Sequence, residues 1–333
     1  MRQQRSQQRG FTLIEMMVAL VLFAAVTAGM MSVAVTMTNG YRDQEVTIAT
    51  ETSTRSAIEF MSQGLRGASP GVSDPNKITD VTSCAVTAQN NAFRVEQNLV
   101  VAGLASKPDA FTVVMPVGQV LTTTTSTFAG TSVNVSNAAE LSVDDQVLVT
   151  DHDVGSIMRI ASKAGNTLTM AAFGAGPCGT VAFPVGSTVI RVMRARFSVG
   201  FLAGENVPML FMDADAEGGA FIPEPIAEGI EDMQISVGID NNPVDKVIGV
   251  ENASAANADE WVGNNLGDTP YTNQAGVRAI RITLVARTAK EATGINAYKL
   301  PAIEDRVANA LTDNFRRRIL SSTIEVRNLG GSP

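Results

Sequence analysis

The sequence predicts an α+β protein: a long N-terminal helix packed on a mainly antiparallel β-sheet, with a β-rich insertion in the sheet domain. Three observations predict it. The stretch from Met16 to Tyr41 holds no charged residue. The segment after it turns polar, with apolar residues at helical spacing. Beyond about residue 110, apolar residues recur at every second position, in short runs separated by turn residues. Composition agrees. Only 5% of the 333 residues are aromatic, and Val, Thr, Ala and Gly prevail in the later chain, a bias toward strands and turns.

The first element begins with a short leader, Met1 to Gly10, which carries Arg2, Arg5 and Arg9 and no acid. The charge-free run that follows spans about 25 residues, roughly 37 Å of helix against a hydrocarbon core of ~30 Å. It is apolar all round, as a membrane span is. The three arginines keep the N-terminal side cytoplasmic and put the remainder of the chain outside. A secretory signal peptide has a shorter apolar core, about 7–15 residues, and a small-residue cleavage site. Glu15 stands at the very start of the run. A carboxylate in hydrocarbon costs roughly 2.5–3.5 kcal/mol and so calls for a partner. One partner is the α-amine freed if the chain is cut after Gly10, which makes Phe11 the first residue and Glu15 the fifth.

The helix continues to about Gly67, with residues 11–69 as the N-terminal segment and 11–38 as its membrane part. Ile58, Met61 and Leu65 form an apolar stripe that Ile48, Ala57 and Phe60 widen, a face on which a globular domain can pack. Gly67 and Pro70 supply the stop. Gly29, Gly40, Thr27, Thr36 and Thr38 lower helix propensity near the membrane exit.

Residues 70–333 read as the globular β domain. A Gly/Pro/Ser/Asp/Asn-rich loop from Pro70 to Asn91 precedes it. Strands are expected at Phe111–Val117, Gln146–Thr150, Ser156–Ala161, Thr167–Ala171 and Thr188–Phe201. The part from about 118 to 186 reads as the insertion. In it, Asp144–Val149 and Gly165–Met170 look like paired strands of a small barrel-like module. Met233, Ile235, Val237 and Ile239 alternate with Gln234, Ser236 and Gly238, which predicts a half-buried strand. Asn241–Gln274 reads as a polar loop holding the single Trp261. Val277–Arg287 and Asn314–Leu329 are the closing strands.

Candidate chemistry is sparse. The net charge of −8 argues against nucleic acid as the main partner, because phosphate binding needs a basic face. His152, the only histidine, lies in an Asp151-His152-Asp153 turn, and one histidine builds neither a zinc site nor a triad. No nucleophile–base set stands out, so an enzyme is not expected. Asp213, Asp215, Glu217 and Glu224 occupy positions one, three, five and twelve of a calcium-type loop, with Gly218 at six. Against calcium, position five is a glutamate and the flank before it reads as a strand. Cys84 and Cys178 either form one disulfide or stay as two buried thiols. A bond between them closes a loop of about 95 residues, nominally worth ~4–5 kcal/mol. Arg316–Arg318 alternate faces on a strand, so they form no single patch and read as a solvated edge or intersubunit ion pairs.

Arg9-Gly10-Phe11-Thr12-Leu13-Ile14-Glu15 resembles the class III signal of type IV pilins and type II secretion pseudopilins. The resemblance implies that a prepilin peptidase cuts after Gly10 and methylates Phe11, and that Glu15 pairs with a neighbouring subunit's N-terminus. Arg55–Ala68 resembles the helix end of PilW-type minor pilins and J-type pseudopilins. Ile226–Asp240 resembles the hydrophobe-x-Glu-Gly-Val-Glu-Asp-Leu-Gln segment of PilW-type proteins, and the two closing strands resemble their ends. Together these imply a minor pilin-like subunit of a type IV pilus, acting in assembly priming or at the tip. The alternatives are a type II secretion pseudopilin and a membrane-anchored adhesin or binding module. Implied partners are other major and minor pilins, the prepilin peptidase and the inner-membrane assembly platform. The implied location is the inner membrane with the body in the periplasm, then the pilus at the cell surface.

Overall fold

The structure, a computed structural model, describes residues 12–73, 77–79, 92–171, 182–214, 223–240, 248, 260–265, 271, 276–292, 297–309, 312–326 and 328–329. The chain divides into two compact units, residues 1–49 and 50–333.

The first unit contains the start of α1 (Leu13–Arg66). Its apolar side chains, from Leu13 through Met37 and Tyr41, are exposed on all faces of the helix. One 18-residue window reaches a mean hydropathy of 2.3, so the helix is long and apolar enough to cross a membrane. Thr27, Thr36 and Thr38 each donate a hydroxyl hydrogen bond to the carbonyl four residues back, at 2.7–2.9 Å. Their polar atoms are thereby satisfied inside the helix, which keeps them tolerable in hydrocarbon.

In the second unit the last turns of α1 bury Ala57, Ile58, Met61 and Leu65 in the main core. The expected stripe is therefore present, but narrower. Phe60 stays partly exposed, edge-on to Phe197 with centroids 6.1 Å apart, and Ile48 is exposed. The helix ends at Arg66, as the Gly67/Pro70 signal requires. The left-handed residue after it is Ser69 (φ 54°), not Gly67. Gly67 is small for another reason: a Cβ there would lie 3.2 Å from Pro116.

After a two-residue β1 (Ile78–Thr79) come β2 (Phe93–Glu96) and the long β3 (Ala110–Thr123). β4 (Ser132–Asn134), β5 (Gln146–Thr150) and β7 (Thr167–Met170) are short, and β6 (Gly155–Ala164) runs ten residues. β8 (Thr188–Phe201), β9 (Pro208–Asp213) and β10 (Glu224–Glu228) complete a ten-stranded sheet. All its pairings are antiparallel except β1 with β6. A second sheet holds β11 (Ile230–Ile239), β12 (Trp261–Val262), β13 (Val277–Arg287) and β14 (Arg317–Glu325) in the order β12-β11-β13-β14. The α+β class is thus as expected, with two sheets in place of one. Trp261 lies in β12 opposite Gly238, not in a loop.

Two cores share strands of the large sheet. Leu148, Ile157 and Val192 face the main core with α1, while Val147, Val149, Met158 and Val189 face a second core with Phe128, Leu168 and Phe183. Period-two alternation apportions the strands between them, which is why β5 is buried at every position. Asp144–Val149 and Gly165–Met170 do not pair with each other. β6 lies between them, matching Met158 to Val147 and Lys163 to Leu168.

Candidate functional site: the Glu15 terminus and a buried ionic belt

Two groups of residues carry the chemistry of this chain. The first is at the start of α1. Thr12 donates its backbone N–H and its hydroxyl to Glu15 Oε2, both at 2.9 Å, and the Glu15 N–H returns to Thr12 Oγ1 at 3.3 Å. This is a capping box. It satisfies helix-end donors and holds the Glu15 carboxylate at the helix N-terminus, where the dipole favours negative charge. The Thr-x-x-Glu spacing at residues 12–15 carries this signal in the sequence, in the same acid that carries the pairing signal. Gly10 and Phe11 lie outside the described residues.

The second group surrounds β11. The segment singled out in the sequence, Glu228-Gly229-Ile230-Glu231-Asp232-Met233-Gln234, turns from β10 into β11 and carries buried charges. Gly229 sits at φ 83°, and a Cβ on it would lie 2.9 Å from the Arg287 carbonyl. Its N–H donates to Pro208 O and its carbonyl accepts from Arg287 N, at 2.8 and 2.7 Å. Only glycine fits a position with both constraints.

β11 is buried on both faces, in contrast to the half-buried strand expected. Met233, Ile235 and Val237 face the main core. On the other face Glu231 is 4% exposed and Asp232 fully buried. Arg317 of β14 clasps Glu231 through Nε and Nη2 and also donates to Asp313 Oδ2 at 2.6 Å. Arg287 approaches Glu231 at 3.7 Å. Arg306 Nε meets Asp232 Oδ2 at 2.6 Å, and Gln234 donates to Asp232 Oδ1 at 2.8 Å. Glu304 accepts from Arg281 at 2.7 Å, from Ser236 at 2.8 Å and from Thr283 at 2.9 Å. Before β12 begins, Asp109 pairs with the edge of β11. Its N–H donates to Met233 O at 2.7 Å, and its carboxylate accepts from Ile235 N at 2.8 Å.

Arg317 is therefore neither solvated nor intersubunit, as the arginine triplet suggested. Its side chain is 4% exposed and tied within the chain. A buried charge persists only when paired and hydrogen-bonded, so these carboxylate–arginine sets lock the order β11-β13-β14.

Burial pushes the Asp232 carboxyl up to about 6, with Arg306 and the Gln234 hydrogen bond pulling the other way. Burial also raises Asp109 well above the usual carboxylate range. A raised folded-state pKa gives stability that is complete below the unfolded value and lost as pH rises through the folded value. The body is expected to melt higher at pH 5 than at pH 7.5, and Asp232→Asn to flatten that difference. Arg306 keeps three acceptors in this variant, Pro301 O, Val307 O and Asn309 Oδ1. Calorimetry at the two pH values checks this. Asp313, which the Arg317 hydrogen bond holds below its usual range, loses its contribution only at lower pH.

The remaining candidates fall elsewhere. Asp213 ends β9 and Glu224 begins β10, paired opposite Met212, so the calcium-type loop spans a β-hairpin with no flanking helices. Asp215 and Glu217 lie outside the described residues, as do Cys84 and Cys178. Among the described residues no group of three or more His, Cys, Asp or Glu could hold a metal ion. His152 sits in the β5–β6 turn at φ 79°.

Comparison with known proteins bears on both ends of the chain. Residues 5–31 match the prokaryotic N-terminal methylation motif, and residues 196–328 match the family described as Type IV Pilus-assembly protein W. The second match runs from within β8 to the end of β14 and takes in every member of the ionic belt except Asp109. No curated protein matches. A type IV-like pilin from Thermus thermophilus is similar at 12% identity over 56% of this chain and 86% of its own, with a TM-score of 0.25. With a methylation-type N-terminus over residues 5–31, one long apolar helix and a C-terminal sheet that matches the Type IV Pilus-assembly protein W family over residues 196–328, the chain is similar to type IV pilus assembly proteins at both ends.

Proposed function

We propose that this minor pilin is cut after Gly10, methylated on Phe11 and built into the filament, where it primes assembly at or near the tip. The inner membrane holds it by α1 beforehand, with the body in the periplasm. The observation that carries this reading is Glu15. It is a carboxylate at the head of the apolar, exposed first half of α1, and its one hydrogen-bond partner among the described residues is Thr12. In a helix bundle the freed amine of a neighbouring Phe11 supplies the missing positive charge and sets the axial register. Partners are then other pilins, the prepilin peptidase and the assembly platform. The body supports a place at the end of the filament: within the part read as an insertion, the described residues from Phe128 to Met170, with Phe183, build most of a second core on the sheet domain.

A priming role predicts that deleting the chain lowers the number of filaments per cell but not their length, because nucleation fails and elongation does not. Electron microscopy of deleted and complemented cells checks it. Unchanged filament numbers, or uniformly shorter filaments, contradict priming.

A further inference from the structure

β14 ends the second sheet, with β13 on one side and no strand on the other among the described residues. Its register with β13 is unbroken from Arg317 opposite Arg287 to Glu325 opposite Ala279. At the two ends Arg316 O accepts from Thr288 N at 3.0 Å and Val326 N donates to Arg278 O at 2.9 Å. In an antiparallel ladder this makes the even-numbered residues of β14 the ones bonded to β13. The backbone N–H and C=O groups of Ile319, Ser321 and Thr323 then point outward.

Soluble proteins guard such an edge with Pro, Lys, a bulge or a short strand. β14 has none of these. It runs nine residues without a register shift, and its centre, Ile319-Leu320-Ser321-Ser322-Thr323, is uncharged. Beside it lies a groove of about 640 Å³, lined on the helix side by Arg55, Glu59, Phe60 and Gln63. On the strand side three consecutive residues line it, Leu320, Ser321 and Ser322. Consecutive strand residues point to opposite faces, so a space touched by all three runs past the backbone edge itself.

We infer that the β14 edge accepts one extended strand from a neighbouring pilin-type subunit, which continues the sheet over the flank of α1. Backbone groups in this geometry are matched by another strand, not by a helix. The occupant alternates in character. Its inward side chains enter the groove over Ile58, Phe60 and Leu320, and its outward ones stay polar beside Ile319, Ser321 and Thr323. The inference rests on the reading that the chain assembles with other pilins, and it adds which surface of the body does so.

The test compares wild type, Ser321→Pro and Ser321→Lys, each expressed as the full chain in cells that build the filament. Proline at 321 removes an outward N–H and, like lysine, the hydroxyl that accepts from Thr283 Oγ1 at 2.9 Å, but no backbone bond to β13, so the ladder survives. Lysine keeps every backbone group and guards the edge by charge. Cleavage at Gly10 and the melting temperature report that both variants fold. Incorporation into sheared filaments is expected to fall roughly tenfold or more for both, the scale of one or two lost backbone hydrogen bonds. In wild-type assemblies the amides of Ile319, Ser321 and Thr323 are expected to exchange more slowly than in the free, processed chain. If both variants fold and incorporate as wild type does, or if those amides exchange equally fast in both states, the edge is not the docking site and the pilin reading stands. If the wild-type chain never co-purifies with pilin-type subunits, both fall together.

Discussion

Arg317→Ala is expected to destabilise the body by about 3–5 kcal/mol, the cost of leaving a buried charge without its partner. Glu231 is 4% exposed, and its closest positive group is the Arg317 guanidinium; Arg287 stands off at 3.7 Å. Asp313 loses its 2.6 Å hydrogen bond in the same stroke. The loss is larger than a surface ion pair gives, since exposed pairs contribute about 0–1 kcal/mol. Thermal unfolding of the full chain in detergent reads it directly. Arg317→Met combined with Glu231→Gln is expected to recover much of the loss, because no charge is then stranded. A melting temperature for Arg317→Ala within about 1 °C of wild type contradicts the clasp, since 1 kcal/mol alone shifts a domain of this size by roughly 2–4 °C. So does a double variant that loses the sum of both singles, which is what independent sites give.

Glu15→Ala is expected to be cut and methylated normally, yet to enter filaments at a small fraction of the wild-type level. In the proposed processing the peptidase cuts between Gly10 and Phe11, four residues before Glu15. The carboxylate matters where another copy's or another pilin's N-terminal amine is packed beside it in an apolar bundle. An unpaired amine there costs several kcal/mol. Comparing the variant's content in sheared filaments with its content in membranes separates the two steps. Normal incorporation shows that Glu15 does not set the register.

The long helix was legible in the sequence because its two signals are independent: absence of charge from Met16 to Tyr41, then Ile58, Met61 and Leu65 at helical spacing. Period-two alternation located β11, β13 and most strands of the large sheet. Which strands pair was not legible, since short strands of similar character offer no local cue. Gly165–Met170 meets β6, not the Asp144–Val149 run with which it was matched. The ionic belt was half legible. Glu231, Asp232 and Gln234 stood out as a recurring segment, and Arg317 within a triplet. Alternation alone assigns such residues to a solvated face. Their burial comes from long-range covering: Glu304 and Arg306, from the segment after β13, close over the second face of β11, and Asp109, just before β3, closes its edge. The capping box of Thr12 and Glu15 was present as a four-residue pattern, overshadowed by the pairing role read into the same acid.

The most direct test of the whole account is the mass of the mature N-terminal peptide, taken from the protein isolated from its own membranes. The expected peptide begins at Phe11 and carries one extra methyl group on its amine. A chain that still begins at Met1, or one that begins well beyond Phe11, leaves Glu15 with no freed amine to meet and contradicts it.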